Sequence, residues 1–243
     1  MDSKHFSSWS DFKDGYAHFL PGPRGVSFVY SKILFRGQMD ASWPLMSSFD
    51  RAIPDASLDR RREYAKWLNF CRSLYRKLGM PVDAMDEFEL SALAQHYGVS
   101  TRMLDWSMSP YIAAFFAFCD SLIFRQPETN DIAVWAIDVL EFERHAKRDF
   151  YIASPKSFQN ARVRNQLGKF LVNSTTYATL EEYIGLTKPA AGAALRKLTI
   201  PASERIVALN DLLLMGISPV DIYPDLEGVA RYVRLRQLLD GYR

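Results

Sequence analysis

The sequence predicts an α+β fold, organised as a mixed single domain over residues 1–243 with a small central sheet and flanking helices. Two observations lead to this class. Apolar runs typical of strands are mixed with segments of helical periodicity, and the two kinds do not alternate as regularly as in a doubly wound sheet. Hydrophobic residues make up 48% of the chain and charged residues 24%, a balance typical of soluble globular domains.

Charge and composition exclude several classes of protein. The formal net charge is only +2, which gives no general attraction to nucleic acid or anionic lipid. The two cysteines and four scattered histidines show no metal-ligand spacing, so no metal site is predicted. Residues 1–20 lack an apolar leader core, and no stretch approaches the ~20 apolar residues of a membrane-spanning helix. These features predict a cytoplasmic protein with no membrane segment.

Strands are expected where Val, Ile, Phe and other apolar residues are concentrated. Near the first of them, residues 26–34 leave a helical alternative open, since a short apolar run does not decide between the two structures. Residues 132–137 are apolar throughout, which is typical of a strand buried on both faces. The predicted strands are 33–37, 132–137, 169–172 and 195–200.

Helices are predicted from apolar residues at helical spacing and from end signals such as a capping serine or a following glycine. The long basic helix 58–78 suggests a nucleic-acid surface, but the small net charge favours a solvated helix face. Residues 42–50 are expected to be loop, and residues 141–149 to be charged and exposed. The predicted helices are 58–78, 86–97, 110–120, 178–184, 203–215 and 225–239, with a short helix entered at 8–11.

The stretch from Gln95 to Phe118 holds the densest set of polar residues. Gly98 is expected to end helix 86–97, and Ser109 with Pro110 to begin a buried apolar helix. Between the two helices lies a polar turn, where side chains can be held rigidly toward a pocket. Its candidate residues are Ser100, Thr101, Arg102, Asp105 and Trp106.

Structural interpretations of the same residues remain open. Arg102 and Asp105 can support the turn as buried or half-buried charges, paired with each other or with other charged groups. Trp106 can be part of the core, and residues 100–101 can satisfy backbone groups of the loop. His96 with Asp105 can form an acid/base dyad, although a histidine at a helix end more often bonds only its neighbours.

Four segments resemble the FRG domain, a family named for a Phe-Arg-Gly tripeptide. Phe35-Arg36-Gly37-Gln38 is similar to the signature itself, and residues 93–117 are similar to the central block. Residues 162–170 resemble the third block of that domain. Residues 198–205, together with residues 223–232, resemble its last part. The resemblance spans about residues 33–232 and implies a single FRG-type domain, but it does not by itself imply an activity.

A more distant resemblance is to toxin-type ADP-ribosyltransferases. Phe35-Arg36-Gly37 is similar to the aromatic-Arg-Gly of their first core strand, and Ser100-Thr101 to the Ser-Thr element of a later segment. Gln166-Leu167-Gly168 lies where an acidic E-x-E or Q-x-E precedes a late strand. In that class a glutamate stabilises the oxocarbenium-like centre, and here Gly168 takes its place. No glycine-rich dinucleotide motif, P-loop or serine-hydrolase elbow occurs in the chain.

The resemblance implies NAD as a substrate and gives roles to individual residues. Arg36 would hold the pyrophosphate or the nicotinamide end through its planar donor fork. Tyr97, Trp106 or Phe170 would stack on a flat ring. Residues 100–101 would support the ribose or the arginine. The catalytic candidates are Arg36 and Gln166, and the candidates for NAD binding are Arg36, Gly37, His96, Tyr97, Ser100, Thr101 and Trp106.

The function implied is an NAD-dependent ADP-ribosyltransferase-like toxin or effector, active in bacterial phage defence. Its acceptor would be a macromolecule, either protein or nucleic acid, and an antitoxin or other partner protein is a further implication. The alternative is a non-catalytic FRG module that binds a nucleotide or a protein, which the glycine at position 168 favours. Under either hypothesis we expect one cleft to collect the side chains of Arg36, Ser100, Thr101, Arg102, Asp105 and Gln166.

Overall fold

The computed structural model describes residues 1–21, 32–53, 55, 57–146, 148–154 and 161–241. Its strands are β1 (Asp2–His5), β2 (Ile33–Gln38), β3 (Met103–Ser107), β4 (Asp131–Asp138), β5 (Phe150–Ala153), β6 (Gly168–Asn173) and β7 (Leu195–Pro201). They form one mixed sheet in the order β1-β7-β4-β2-β3-β6-β5. β1 pairs with β7 in parallel, and the other described pairs are antiparallel.

Helices cover both faces of this sheet, in two hydrophobic clusters. The described α-helices are α1 (Trp9–Gly15), α2 (Ser48–Ala52), α3 (Arg60–Lys77), α4 (Glu87–His96), α5 (Pro110–Ile123), α6 (Val139–Ala146), α7 (Ala161–Asn165), α8 (Leu180–Leu186), α9 (Arg205–Leu214), α10 (Pro219–Ile222) and α11 (Leu226–Leu239). Apolar residues of α1, α5, α9 and α11 pack on one face, and those of α6 and α8 on the other. A third, smaller cluster joins α2, α3 and α4. Short 3₁₀ turns occur at 16–19, 82–84, 189–194 and 202–204.

Strand β4 lies between the two clusters, which confirms the interpretation of its apolar run. Ile132, Val134 and Ala136 belong to one cluster, whereas Ala133, Trp135 and Ile137 belong to the other. Side chains of a strand alternate between faces, so a strand covered on both faces must be apolar at every position.

Strand β2 approaches helix α5 more closely than a side chain would permit. A Cβ atom built on Gly37 would lie 1.9 Å from the carbonyl oxygen of Ala113. The glycine of the Phe-Arg-Gly signature therefore sets the distance between strand and helix.

The predicted helix ends in the central stretch are confirmed. Gly98 has a φ of +83°, which favours glycine, and it follows the last turn of α4. The Ser109 hydroxyl accepts a hydrogen bond from the Ile112 backbone N–H, and Pro110 occupies the first position of α5. These two helix ends frame strand β3, which lies between them.

The α+β class is confirmed, but the sheet is larger than expected. β1 is polar and exposed, and β5 is only four residues long, so neither has the longer apolar run on which the sequence prediction relied. The segment 100–106 is not a turn throughout, because residues from Met103 onward form β3. Two further segments differ: α2 begins inside the expected loop 42–50, and α6 buries Phe142 and Ala146 within the segment 141–149 that was expected to be exposed.

The helical alternative for residues 26–34 falls mostly outside the described residues, since residues 26–31 are not described and Ile33 and Leu34 lie in β2. In the described part of the chain, no helix combines the length and apolarity needed to cross a membrane.

Candidate functional site

A pocket of about 700 Å³ opens where β2 and β3 meet. This volume lies within the range of small-molecule sites in proteins. The pocket floor comes from β2 and β3, and its walls come from α4, α5, the α7–β6 turn and α11 with the residue Tyr223 before it. Three arginines and three carboxylates line it, namely Arg36, Arg162, Arg231, Asp105, Asp120 and Glu227.

Arg36 lies at the floor of the pocket, held by β3. Its Nη1 donates to the backbone carbonyl oxygen of Asp105 at 2.7 Å and lies 4.0 Å from Oδ2 of the same residue. The Arg36 side chain is 18% exposed, and burial lowers the pKa of its guanidinium, although the charges of Asp105 and Asp120 oppose the shift. The arginine is thus fixed in place by backbone and carboxylate together.

Two buried N–H donors in the pocket lining have no hydrogen-bond partner. In the described residues, Nε of Arg36 and Nε1 of Trp106 are the buried side-chain polar atoms without one. The register that pairs Phe35 with Ser107 makes Arg36 and Trp106 cross-strand neighbours. Buried donors in proteins are nearly always satisfied, so the unmatched Nε–H of Arg36 marks a place suited to an acceptor such as a phosphate or carbonyl oxygen, whereas Trp106 is packed in a hydrophobic cluster.

Asp105 is one of two polar residues of β3 that line the pocket, the other being Ser107. One carboxylate oxygen accepts from the Gln95 side-chain amide at 2.7 Å, and the Gln95 carbonyl oxygen in turn accepts from the Thr101 hydroxyl. The Asp105 side chain is 59% exposed, and that exposure is toward the pocket, whose walls surround it. Burial by these walls raises the pKa of Asp105, and the nearby Arg36 charge opposes the shift.

Asp120 lines the pocket from helix α5. Ala113, Phe116 and Asp120 share one helix face at i, i+3 and i+7, and all three line the pocket. Burial raises the pKa of the Asp120 carboxyl, while the charges of Arg231 and Arg36 lower it. Asp120 is therefore a carboxylate set among apolar groups and two arginines.

One wall of the pocket is formed by Arg162 of α7 and Arg231 of α11, which lie around the ring of Tyr223. Glu227 binds both arginines, with 2.7 Å to Nη2 of Arg162 and 2.8 Å to Nη2 of Arg231. The guanidinium carbons of Arg231 and Arg162 lie 4.6 and 5.5 Å from the centre of the Tyr223 ring. Asp225 adds a second carboxylate for Arg162 at 2.6 Å. This network joins α7 to α11 across the pocket entrance.

The pocket contains many of the residues expected from sequence. Arg36 and Gly37 lie on its floor, His96 and Tyr97 at the end of α4, and Gln166 opposite them. Asp105, Trp106 and Phe170 also line it. The dyad of His96 with Asp105 is not present as a hydrogen bond among the described residues, because the described bond to the Asp105 carboxylate comes from Gln95.

Three expected residues lie elsewhere. Ser100 is exposed and outside the pocket lining, while Thr101 is 1% exposed and acts only indirectly, through Gln95. Arg102 is buried, as predicted for a support of this segment, but its partner is Asp50, with Nε at 3.1 Å from Oδ1. Residues 102 and 105 are three apart along an extended chain, so their side chains point to opposite faces.

The structure also revises two roles. Trp106 is 2% exposed and packs in the hydrophobic cluster on the far face of the sheet, so its ring offers no open stacking surface. Among the described serine and threonine residues, Ser107 is the one that lines the pocket, and its hydroxyl donates to the backbone carbonyl oxygen of Gln166 at 2.8 Å. The hydroxyl groups expected from Ser100 and Thr101 do not belong to the lining.

Several residues that line the pocket were not predicted from the sequence. Asp120 could have been identified from the sequence, because it is the single charged residue of an otherwise apolar helix and a buried charge is costly unless it is compensated. Glu227 and Arg231 show an i, i+4 charge pair, which is common on solvated helices and is not specific. Gln95, Arg162 and Tyr223 carried no distinguishing pattern.

A comparison with protein families identifies the central part of the chain. The family model of the FRG domain matches residues 31–126. The chain therefore contains an FRG-domain match within these residues. The match includes β2, β3, α4 and α5, so the FRG segment supplies Arg36, Asp105 and Asp120, whereas the far wall with Arg162 and Arg231 lies beyond it. No curated protein and no solved structure shows significant similarity to the chain.

Proposed function

We propose that the pocket binds NAD as a substrate and that the protein is an ADP-ribosyltransferase-like enzyme. It cleaves the bond between nicotinamide and ribose and transfers ADP-ribose to a macromolecule. The observation that carries this proposal is the pocket lining, where the largely buried Arg36 guanidinium, with an unmatched Nε–H, shares the cavity with the carboxylates of Asp105 and Asp120. Carboxylates beside a sugar are the groups that stabilise an oxocarbenium-like centre during glycosyl transfer.

The remaining lining fits the other parts of such a ligand. Arg36 presents a planar donor fork suited to a phosphate group or an amide oxygen. Tyr97 is 67% exposed at the end of α4, and together with Phe116 it offers a ring face to a flat heterocycle. Gln166 brings a neutral donor and acceptor from the α7–β6 turn. A ligand with an anionic centre and flat rings matches this set of groups.

A second function is favoured by the start of β6. A Cβ atom on Gly168 would lie 3.2 Å from the Val163 carbonyl oxygen, a tight contact that needs a small shift of α7 to relieve it. The acid that the transferase resemblance expects at this position is absent from the sequence, and the space beside Gly168 is narrow. This supports the alternative of a non-catalytic FRG module that binds a nucleotide or a protein.

The biological setting belongs to the same proposal. The resemblance implies an effector or toxin in bacterial phage defence, with a protein or nucleic acid as acceptor and an antitoxin or partner protein that restrains it. This setting derives from the family resemblance, whereas the pocket geometry supports only the ligand and the chemistry.

The test is the release of free nicotinamide from NAD by the purified protein, with binding of NAD and ADP-ribose measured by calorimetry on the same samples. Arg36→Ala should abolish both, whereas Arg144→Ala, which changes a surface arginine paired with Glu141, should change neither. Release of nicotinamide supports the enzyme. Binding without release supports the non-catalytic nucleotide module, and the absence of both contradicts a nucleotide pocket.

A further inference from the structure

The carboxylate of Asp120 differs from the other acids of the pocket in having no direct partner. The described part of the chain shows no side-chain hydrogen bond and no ion pair to it. Its backbone carbonyl oxygen is used within α5, where it accepts from the Phe124 N–H at 2.9 Å. The side chain is half-buried, so its charge is not compensated by water as it would be at an open surface.

The other two carboxylates of the lining are already engaged. Asp105 accepts from Gln95 and lies next to Arg36, and Glu227 joins Arg162 to Arg231. Their positions are explained by the contacts they make, because each holds two elements of the pocket together. Within the described residues Asp120 makes no such contact, so no structural role there explains its place in an apolar helix.

The surroundings of Asp120 suit a group that acts on a ligand. Phe116 lies one turn earlier on the same helix face, and the Phe116 and Tyr223 rings are 6.2 Å apart. The charges of Arg36 and Arg231 act on the carboxylate without forming an ion pair with it. A carboxylate in such an apolar setting interacts strongly with any positive charge that develops nearby, since little water screens it.

We propose that Asp120 is the catalytic carboxylate of this pocket and that it supplies the negative charge that Gly168 lacks. This inference rests on the proposed function. In the reaction, the bond between C1′ of the ribose and the nicotinamide nitrogen breaks, and its electron pair leaves with the nicotinamide, which becomes neutral. Asp120 stabilises the positive centre at C1′ until the acceptor adds through an oxygen or nitrogen lone pair and loses its proton to solvent.

The assignment places the acid on α5 and not on the α7–β6 turn. Gly37 allows α5 to lie against β2, which brings Asp120 to the floor that holds Arg36. The signature glycine and the catalytic acid are thus linked: the close approach of strand and helix is what carries the carboxylate into the pocket.

The experiment measures nicotinamide release from NAD by wild type, Asp120→Asn, Asp120→Glu and Asp105→Asn. Asp83→Asn is the control, because Asp83 is an exposed aspartate outside the pocket lining. Asp120→Asn should lower the rate about 10²–10³-fold, the usual effect of removing one preorganised electrostatic group. ADP-ribose affinity should stay within about threefold of wild type, since a changed charge that acts only in the transition state alters turnover and not product binding.

Each possible result supports or contradicts the assignment of Asp120 as the catalytic acid. Loss of turnover in Asp120→Asn with retained ADP-ribose binding, and more activity in Asp120→Glu than in Asp120→Asn, supports the assignment. If wild type is active and Asp120→Asn keeps more than a tenth of the rate, Asp120 is not the catalytic acid although the enzyme proposal stands. If only Asp105→Asn is inactive, the acid is Asp105. An inactive wild type overturns the enzyme proposal and this assignment together.

Discussion

Replacement of Arg102 by Met is expected to destabilise the fold strongly without altering the pocket. Arg102 is 1% exposed, and its guanidinium makes four described contacts. Nε lies 3.1 and 3.3 Å from the two carboxylate oxygens of Asp50, Nη2 donates to the Tyr177 carbonyl oxygen at 2.9 Å, and Nη1 donates to the Thr175 carbonyl oxygen. The side chain thus ties α2 to the segment that follows β6.

The size of the effect follows from what the substitution leaves behind. Met fills a similar volume, so the loss of packing is small, but Asp50 keeps a buried charge whose remaining cationic partner among the described residues is Arg60, at 3.6 Å. Two backbone carbonyl groups also lose their donor. Breaking a buried pair in this way costs about 3–5 kcal/mol. For a chain of this length each 1 kcal/mol lowers the melting temperature by roughly 2–4 °C, so we expect a fall of about 6–20 °C.

The measurement is thermal unfolding followed by circular dichroism, with urea denaturation to obtain the free energy of unfolding. Arg144→Met is the matched control, because Arg144 is 68% exposed and its pair with Glu141 should contribute about 1 kcal/mol or less. Ligand binding, measured well below the melting temperature, should persist in Arg102→Met. A melting temperature equal to that of wild type would show that the buried pair with Asp50 does not hold these segments together.

Three further predictions concern the pocket. Gly37→Ala should unfold the protein or lower its melting temperature by many degrees, because the added Cβ would lie 1.9 Å from the Ala113 carbonyl oxygen; a soluble variant that melts like wild type contradicts this close approach. Asp120→Asn should raise the melting temperature at neutral pH. Burial raises the pKa of Asp120 in the folded state, so the folded state binds this proton more tightly than the unfolded state and loses stability as the pH rises through the two values. The rise in melting temperature should vanish below the ordinary aspartate pKa of about 4. A melting temperature that does not rise at pH 7, or a rise that is independent of pH, would contradict a raised pKa of Asp120 in the folded state. Arg36→Lys should weaken NAD and ADP-ribose binding nearly as much as Arg36→Ala, on the order of 2–5 kcal/mol by calorimetry, because a point charge cannot replace a planar fork; equal binding by wild type and Arg36→Lys would show that Arg36 is not the anchor.

Local sequence signals were sufficient for the elements whose pattern is self-contained. The run 132–137 predicted a buried strand because every residue in it is apolar, and β4 is covered on both faces. Gly98 and Ser109-Pro110 predicted helix ends correctly, since a positive φ and a capping hydroxyl are properties of a few adjacent residues. The Phe-Arg-Gly segment was recognised as a strand, and its Arg36 is among the residues that line the pocket.

The polar stretch 100–106 shows where local reasoning fails. Its residues were treated as one turn, so they were expected to point to one cleft. As the start of a strand, the stretch sends Asp105 to the pocket and Arg102 and Trp106 to other surroundings, because strand side chains alternate between faces. A strand with polar residues on its pocket face lacks the apolar alternation that would have identified it.

By itself the sequence determined the α+β class, the ends of the central helices, the FRG resemblance and the presence of Arg36, Gly37 and Gln166 in the candidate site. Only the tertiary structure decided which charges meet. Arg102 finds Asp50, 52 positions away, and Arg36 shares its pocket with Asp120 from α5 and Arg231 from α11. Periodicity and capping depend on neighbours within a few residues, whereas the pairing of distant charges depends on strand order and on how closely a helix can approach the sheet. At this pocket that approach is set by a single glycine, Gly37.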